Sequence, residues 1–217
     1  MKNVILTGST GGIGSSIASL LEQSGYSVIA IRSRLEDFES LEKEVKSILA
    51  EHDVDVLINC AGFGLFKPHE EISTTDIRKM IDVNLTAPLI LTGLTLRSLK
   101  ESRGNIINIT SIEATRYSRF SALYTATKTG LRAFSLSLLE EVRKAGVKVT
   151  AINPDITNTA FFDNLGFEPL DDPSCSLHPG EIAQAVYTVL QTDGIISEMT
   201  IRPRKSGVKK KKRNLSG

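Results

Sequence analysis

Cysteine is nearly missing from this chain of 217 residues: only Cys60 and Cys175 occur, set far apart. Two such thiols form neither a disulfide framework nor a metal-ligand cluster. No metal is therefore expected, and both read as reduced bystanders in a cytoplasmic protein. No apolar run approaches the roughly 20 residues of a bilayer span, so no membrane role is expected. Met1-Lys2-Asn3 passes directly into a short apolar segment, and no secretory leader is expected either. An excess of one charge is also lacking, since the formal net charge is +1. That balance conceals an asymmetry. Six of the 26 basic residues, Lys205, Lys209 to Lys212 and Arg213, crowd into 205–217 with no acid among them. Residues 1–204 keep 20 basic against 25 acidic side chains, a body at −5. The tail is expected to be a solvated, disordered end. The body interleaves no basic and aromatic residues, which argues against nucleic acid as a partner.

What is present suits one soluble domain over 1–204, with 41% hydrophobic and 24% charged residues. Apolar runs alternate with helix-period stretches, the pattern of a parallel sheet covered on both faces. Strands are predicted at 4–6, 27–31, 54–59, 105–109, 147–152 and 198–202. The first helix runs to Gln23 and stops at Gly25. An amphipathic helix carries Leu41, Val45, Ile48 and Leu49 on one stripe, another runs from Tyr124 to about Lys144, and a last spans about 180–191. No internal repeat or linker divides the chain.

Directly after the first strand comes Thr7-Gly8-Ser9-Thr10-Gly11-Gly12-Ile13-Gly14. A strand, glycine loop and helix in succession put backbone N–H groups and a helix N-terminus against a pyrophosphate. The spacing is G-x3-G-x-G if Gly8, Gly12 and Gly14 count, and G-x2-G-x2-G if Gly11 replaces Gly12. At the end of the second strand stands Ile31-Arg32-Ser33-Arg34, with no acid at that point. A carboxylate there would bond the ribose 2′-hydroxyl of NAD(H), whereas an arginine fork suits the 2′-phosphate of NADP(H). NADP(H) is favoured over NAD(H). The alternative is a solvated turn in which Arg32 and Arg34 pair with Glu36 or Asp37.

Tyr124 lies thirteen residues beyond Ser111, and Lys128 follows it at i+4 on one helix face. A free tyrosine titrates near 10, too high for efficient proton transfer at neutral pH. A neighbouring ammonium favours the phenolate and lowers that value. Ser111, at the end of a strand, can hold a substrate oxygen beside the phenol. That is the chemistry of carbonyl reduction and alcohol oxidation, with hydride drawn from the dinucleotide.

Taken together, these segments resemble the short-chain dehydrogenase/reductase family, in its compact single-domain branch, over about residues 1–203. Asn59-Cys60-Ala61-Gly62 is similar to the family's Asn-Asn-Ala-Gly segment, with Cys60 in place of an asparagine. The resemblance implies a Rossmann-type doubly wound parallel sheet with helices on both faces. It also implies a catalytic tetrad of Asn84, Ser111, Tyr124 and Lys128. Tyr124 would be the acid/base, Ser111 would orient the carbonyl, Lys128 would hold the nicotinamide ribose and tune Tyr124, and Asn84 would maintain a proton relay. By the same resemblance the cofactor is held by Thr7, Gly8, Ser9, Thr10, Gly12, Ile13, Gly14, Arg32 and Ser33. Asn59, Ala61, Gly62, Tyr124, Lys128, Pro154, Thr157 and Thr159 complete that set. It further implies a small-molecule carbonyl or alcohol substrate and a homodimer or homotetramer.

The chain departs from the family pattern in three places. Only about 20 residues separate Arg34 from Val54, so one βα unit after the second strand is shortened, and Asp37-Phe38 is the nearest stand-in for the family's adenine contact. The family's Pro-Gly is Pro154-Asp155 here, which sets a carboxylate near the nicotinamide end. The loop from Phe161 to Pro179 is aromatic at Phe161, Phe162 and Phe167, as an apolar lid or simply as packing. Besides an oxidoreductase, the same features admit a non-catalytic NADP-binding sensor or scaffold, which would be indifferent to loss of the Tyr124 hydroxyl. An epimerase or dehydratase of the family's longer branch would need a longer chain.

Overall fold

Strands buried on both faces of a sheet read as unbroken apolar runs, and Val4, Ile5 and Leu6 are all fully buried. The computed structural model describes residues 1–211. Its elements in order are β1 (Asn3–Leu6), α1 (Gly12–Gln23), β2 (Ser27–Ala30), α2 (Phe38–Glu51), β3 (Val56–Asn59), α3 (Thr74–Ile81), α4 (Ala87–Ser102) and β4 (Asn105–Ile109). Then follow α5 (Ala122–Val142), β5 (Lys148–Pro154), β6 (Phe167–Pro169), α6 (Pro179–Gln191), β7 (Glu198–Ile201) and β8 (Val208–Lys210). Six strands form one parallel sheet in the order β2-β1-β3-β4-β5-β7. Helices α1 and α6 cover one face, where Ile17, Leu21, Ile182 and Val186 meet Val4 and Leu6. Helices α2, α4 and α5 cover the other, where Leu41, Val45, Leu91, Leu99 and Leu139 meet Ile5 and Leu57. This is the doubly wound α/β fold.

The chain passes from β1 out to β2, then returns across β1 to β3. The order therefore reverses between β1 and β3, and ligands of such sheets bind outside the carboxyl ends at that point. Only α2 joins β2 to β3, so the expected shortening is real and β2 is left as the sheet edge. Asp37 has another use than meeting adenine: its carboxylate accepts from Ser40 N at 3.2 Å and caps α2. Phe38 packs on the α2 face of the core. Helix α5 stops at Val142, and Gly146, at φ +85°, closes the turn that follows. Along α5, Leu131, Leu138 and Leu139 are buried in the core, and Phe134 packs against it.

The basic tail does not behave as expected over its first part. Residues 208–210 pair antiparallel with β6 as a two-stranded ribbon. Its lysines find the acids of the preceding loop: Lys205 Nζ lies 3.1 Å from Asp172, and Lys209 Nζ lies 2.6 Å from Asp171. Lys211 Nζ donates to the Phe162 carbonyl at 2.5 Å. Charge that looks unmatched along the sequence is matched by the acidic stretch 168–172. The rest of the expected tail, residues 212–217, lies outside the described residues. No helix among the described residues is long and apolar enough to cross a membrane.

Candidate active site

The loop after β1 explains its own glycines. Gly8 sits at φ +71°, and a Cβ there would lie 2.8 Å from Ala61 Cα. A Cβ on Gly14 would come within 2.0 Å of the Gly8 carbonyl oxygen, and one on Gly12 within 2.6 Å of Thr159 Cγ2. On Gly11 it would meet nothing nearer than 3.4 Å. The sterically demanding set is Gly8, Gly12 and Gly14, which resolves the spacing as G-x3-G-x-G. Helix α1 starts with Gly11 as its cap, with no side chain bonded to its first N–H groups and no acid in its first turn. Those N–H groups and the close-packed glycines form a cradle that could hold a pyrophosphate, with Ser9, Thr10 and Ile13 in the same loop. Thr7 ties the loop to the next strand, its Oγ1 accepting from Cys60 N at 3.0 Å and Ala61 N at 3.1 Å. Asn59 is turned into the sheet instead, where its Nδ2 donates to Asn108 Oδ1 at 2.8 Å.

The end of β2 requires a correction. No acid stands there along the sequence, but Glu44 of α2 arrives from the side. Its two oxygens accept from Arg32 N at 2.9 Å and Ser33 N at 2.8 Å. Burial works to raise its carboxyl, but the Ser33 hydroxyl, the two backbone N–H groups and the Arg32 charge together hold it below the ordinary range. Arg34 pairs with Glu36 at 3.4 Å, while the Arg32 side chain remains exposed.

At the other end of the cleft, Ser111 lies two residues beyond β4, Tyr124 and Lys128 lie on α5, and all three are buried. Lys128 Nζ donates to the Ile109 carbonyl at 3.0 Å and lies 5.9 Å from the Tyr124 ring centre. Burial pushes the Tyr124 phenol up to about 12; the Ser111 hydroxyl pulls it down and the Glu113 charge adds to the rise. The lowering foreseen from Lys128 does not arise in the protein alone: Ser111 is the group that lowers the phenol, and burial outweighs it. Lys128 is itself brought down to about 8 by burial, with the Cys60 thiol working against that. Asn84 sits in a single π-helical turn (Asp82–Thr86) between α3 and α4, the kind of distortion that often marks functional positions. Its side chain grips Phe63 at both N–H (3.1 Å) and carbonyl (2.9 Å) and donates to Thr127 at 3.2 Å. A Cβ on Gly62 would lie 3.1 Å from both Asn84 Oδ1 and Lys128 Nζ, so these groups flank one point of the chain.

Ser111, Tyr124, Pro154, Thr157 and Thr159 line a cavity of about 560 Å³ that also takes in Ile13 from the glycine loop. Its wall is aromatic: Phe66 lies 5.3 Å and Phe161 5.9 Å from the Tyr124 ring, and Phe167 lies 5.2 Å from Phe66.

Comparison with known proteins agrees with this geometry. The family model described as short chain dehydrogenase matches residues 35–168. The chain belongs to that family. An uncharacterized oxidoreductase of Staphylococcus epidermidis is 30% identical over 227 residues, covering 93% of this chain and 97% of the relative. Among solved structures, an alcohol dehydrogenase from the archaeon Thermococcus sibiricus, complexed with 5-hydroxy-NADP, superposes with a TM-score of 0.85 at 27% identity. That match covers 95% of this chain and 99% of the archaeal one. A 4-hydroxyisoleucine dehydrogenase complexed with NADH shares the fold, with a TM-score of 0.82 at 22% identity, over 94% of this chain and 97% of its own. This short-chain dehydrogenase is an oxidoreductase, of a family that pairs NAD(P)(H) with a small-molecule substrate.

Its Asp155 needs no glycine-like backbone, since it is absent from the left-handed positions of the described chain. The carboxylate is buried, accepting from Ile156 N at 2.9 Å and Arg202 Nε at 3.0 Å, with Arg116 3.6 Å away. Among the residues of this short-chain dehydrogenase's cavity that escaped the sequence reading are Phe66, Glu113 and Arg116. Glu113, two residues beyond Ser111, carried a faint signal, an acid set between Ile112 and Ala114.

Proposed function

We propose that this short-chain dehydrogenase is an NADP(H)-dependent reductase of ketones or aldehydes, with Tyr124 as the acid/base. The observation that carries the reading is Ser111 and Tyr124 lining one cavity that Ile13 of the glycine loop also borders, with the Lys128 ammonium buried 5.9 Å from the Tyr124 ring centre. The cradle of Gly8, Gly12 and Gly14 fits a dinucleotide, with Thr157 and Thr159 near its nicotinamide end. When bound, the reduced nicotinamide supplies hydride to the carbonyl carbon. Ser111 holds the carbonyl oxygen, and Tyr124 gives that oxygen its proton. A phenol held up near 12 is protonated at neutral pH, which suits a donor and hence reduction. Lys128, beside the phenol and partly uncharged near pH 8, returns a proton toward Tyr124 after turnover. Asn84 holds the Gly62–Phe63 segment against Lys128. The aromatic wall excludes water and receives the apolar part of the substrate.

The preference for NADP(H) is supported by the exposed Arg32 and by the Ser33 hydroxyl. The nucleotide in the archaeal alcohol dehydrogenase is of the same kind, while Glu44 opposes it. A homodimer or homotetramer built on α4 and α5 belongs to the same reading, supported by the apolar Leu89 exposed on α4. Titration of the protein with NADPH and NADH, followed by nucleotide fluorescence, tests the cofactor. Tighter NADPH binding is expected; tighter NADH binding overturns the preference.

A further inference from the structure

Four charged side chains line the cavity beside Ser111 and Tyr124: Glu113, Arg116, Arg119 and Asp155. Three of them are matched. Arg116 Nε lies 2.9 Å from Glu113, its Nη2 lies 3.6 Å from Asp155, and Arg202 Nε lies 3.0 Å from the other Asp155 oxygen. Two carboxylates against two arginines leave that cluster neutral. The Arg119 side chain stands outside it, with neither an ion pair nor a hydrogen bond among the described residues. The cavity wall therefore carries one unbalanced positive charge.

That charge is open to the cavity and is held in place. Arg119 and Phe120 are exposed, whereas Ser111 and Tyr124 are buried, so Arg119 stands on the solvent side of the carbonyl site. Its Cζ lies 4.5 Å from the centre of the Phe120 ring, which lines the same cavity. Stacking on an aromatic face restrains a guanidinium and leaves its donors unused. Phe120 itself sits at φ +67°, a left-handed conformation that is costly for a bulky residue. Arg103, the other described non-glycine residue of this kind, ends α4, where the conformation is ordinary. Phe120 ends no helix, and strain without that excuse gathers at ligand-binding segments. We propose that Arg119 is a specificity residue whose planar fork takes the carboxylate of a keto acid. The ketone of that molecule lies at Ser111 and Tyr124, and an apolar spacer lies against Phe66 and Phe161. The substrates are then ketones whose carboxylate is remote from the carbonyl. The inference deepens the carbonyl-reductase reading and rests on it.

The test offers the NADPH-loaded protein two ketones of different reach, 4-acetylbenzoate and 3-(4-acetylphenyl)propanoate, each beside its neutral carboxamide. Turnover is measured together with the shift each compound gives in the thermal unfolding midpoint. At low ionic strength at least one carboxylate should exceed its amide in kcat/KM by about 5- to 20-fold. Added salt should shrink that ratio, because the arginine is exposed. Arg119→Gln should bring the ratio close to one, and Arg119→Lys, which keeps the charge and loses the fork, should retain part of it. The wild-type ratio decides even if a variant fails to fold. Equal turnover of acid and amide in both pairs overturns the inference and leaves the reductase reading standing. Preferential binding of the acids without turnover supports the inference and sinks the reductase reading. Absence of any preference in both readouts overturns the inference. So does a loss of NADPH affinity in Arg119→Gln with the preference for the acid intact, which assigns the arginine to the nucleotide.

Discussion

Gly14 stands directly over Gly8: a Cβ on Gly14 would lie 2.0 Å from the Gly8 carbonyl oxygen, well inside contact distance with rigid backbone. The loop therefore cannot keep its shape with any side chain at 14. Gly14→Ala is expected to destabilise the protein by about 1–3 kcal/mol or more, as overpacking does, and to weaken nucleotide binding at least ~10-fold as the N–H groups move. Gly11→Ala, whose Cβ would sit 3.4 Å from the same oxygen, should cost under about 1 kcal/mol. Thermal unfolding and nucleotide titration of the two variants check the contrast.

Glu44 places a carboxylate on the N–H groups of Arg32 and Ser33, the donors a 2′-phosphate would use. Neutralising it in Glu44→Gln removes a repulsion worth about 1 kcal/mol at a water-like dielectric. NADPH affinity should then rise about fivefold relative to NADH. Arg32→Ala should lower NADPH affinity and leave NADH nearly unchanged. A parallel loss of both nucleotides in Glu44→Gln would mean that the carboxylate only holds the turn.

Much of this was readable along the chain, and the exceptions share a cause. The glycine loop and the strands are local patterns, Tyr124 and Lys128 are a fixed offset on one helix, and Ser111 lies thirteen residues before Tyr124. Glu44 reaches the end of β2 only because α2 lies alongside it, eleven residues on from Ser33. Phe66 meets Tyr124 only after β3 and α5 are brought together. The tail looked unpaired because its partners, Glu168, Asp171 and Asp172, lie some forty residues earlier. Tertiary pairing of charge has no signature in local composition.

Burial holds Lys128 at about 8, below its ordinary 10.5. The unfolded chain then binds the proton more tightly than the folded one. The resulting penalty is full below pH 8 and is relieved as pH rises toward 10.5. Lys128→Met should stabilise the protein at pH 7, by on the order of 1–3 kcal/mol, and the gain should shrink by pH 10. Unfolding midpoints of both proteins across that range decide it.

Glu113 disfavours the phenolate of Tyr124, so removing its charge lowers the phenol. For alcohol oxidation, which needs the phenolate, the rising limb of kcat/KM should move to lower pH in Glu113→Gln. A limb that stays in place would mean that another group governs it.

Pro203, Ser206, Gly207 and Val208 border the cavity, and β8 is held by β6. A chain ending at Ser206 keeps the whole glycine cradle and should bind NADPH as before. Its KM for a ketone should rise several-fold as the aromatic wall loses its cover. Steady-state kinetics beside nucleotide titration separates the two effects.

The central claim is that Tyr124 moves the proton, and Tyr124→Phe tests it most directly because it removes one oxygen and keeps the ring among Phe66 and Phe161. Carbonyl reduction should fall by about 100- to 10,000-fold, with NADPH affinity within about twofold of the wild type. Undiminished turnover in that variant would contradict the account and return the protein to the class of nucleotide-binding sensors.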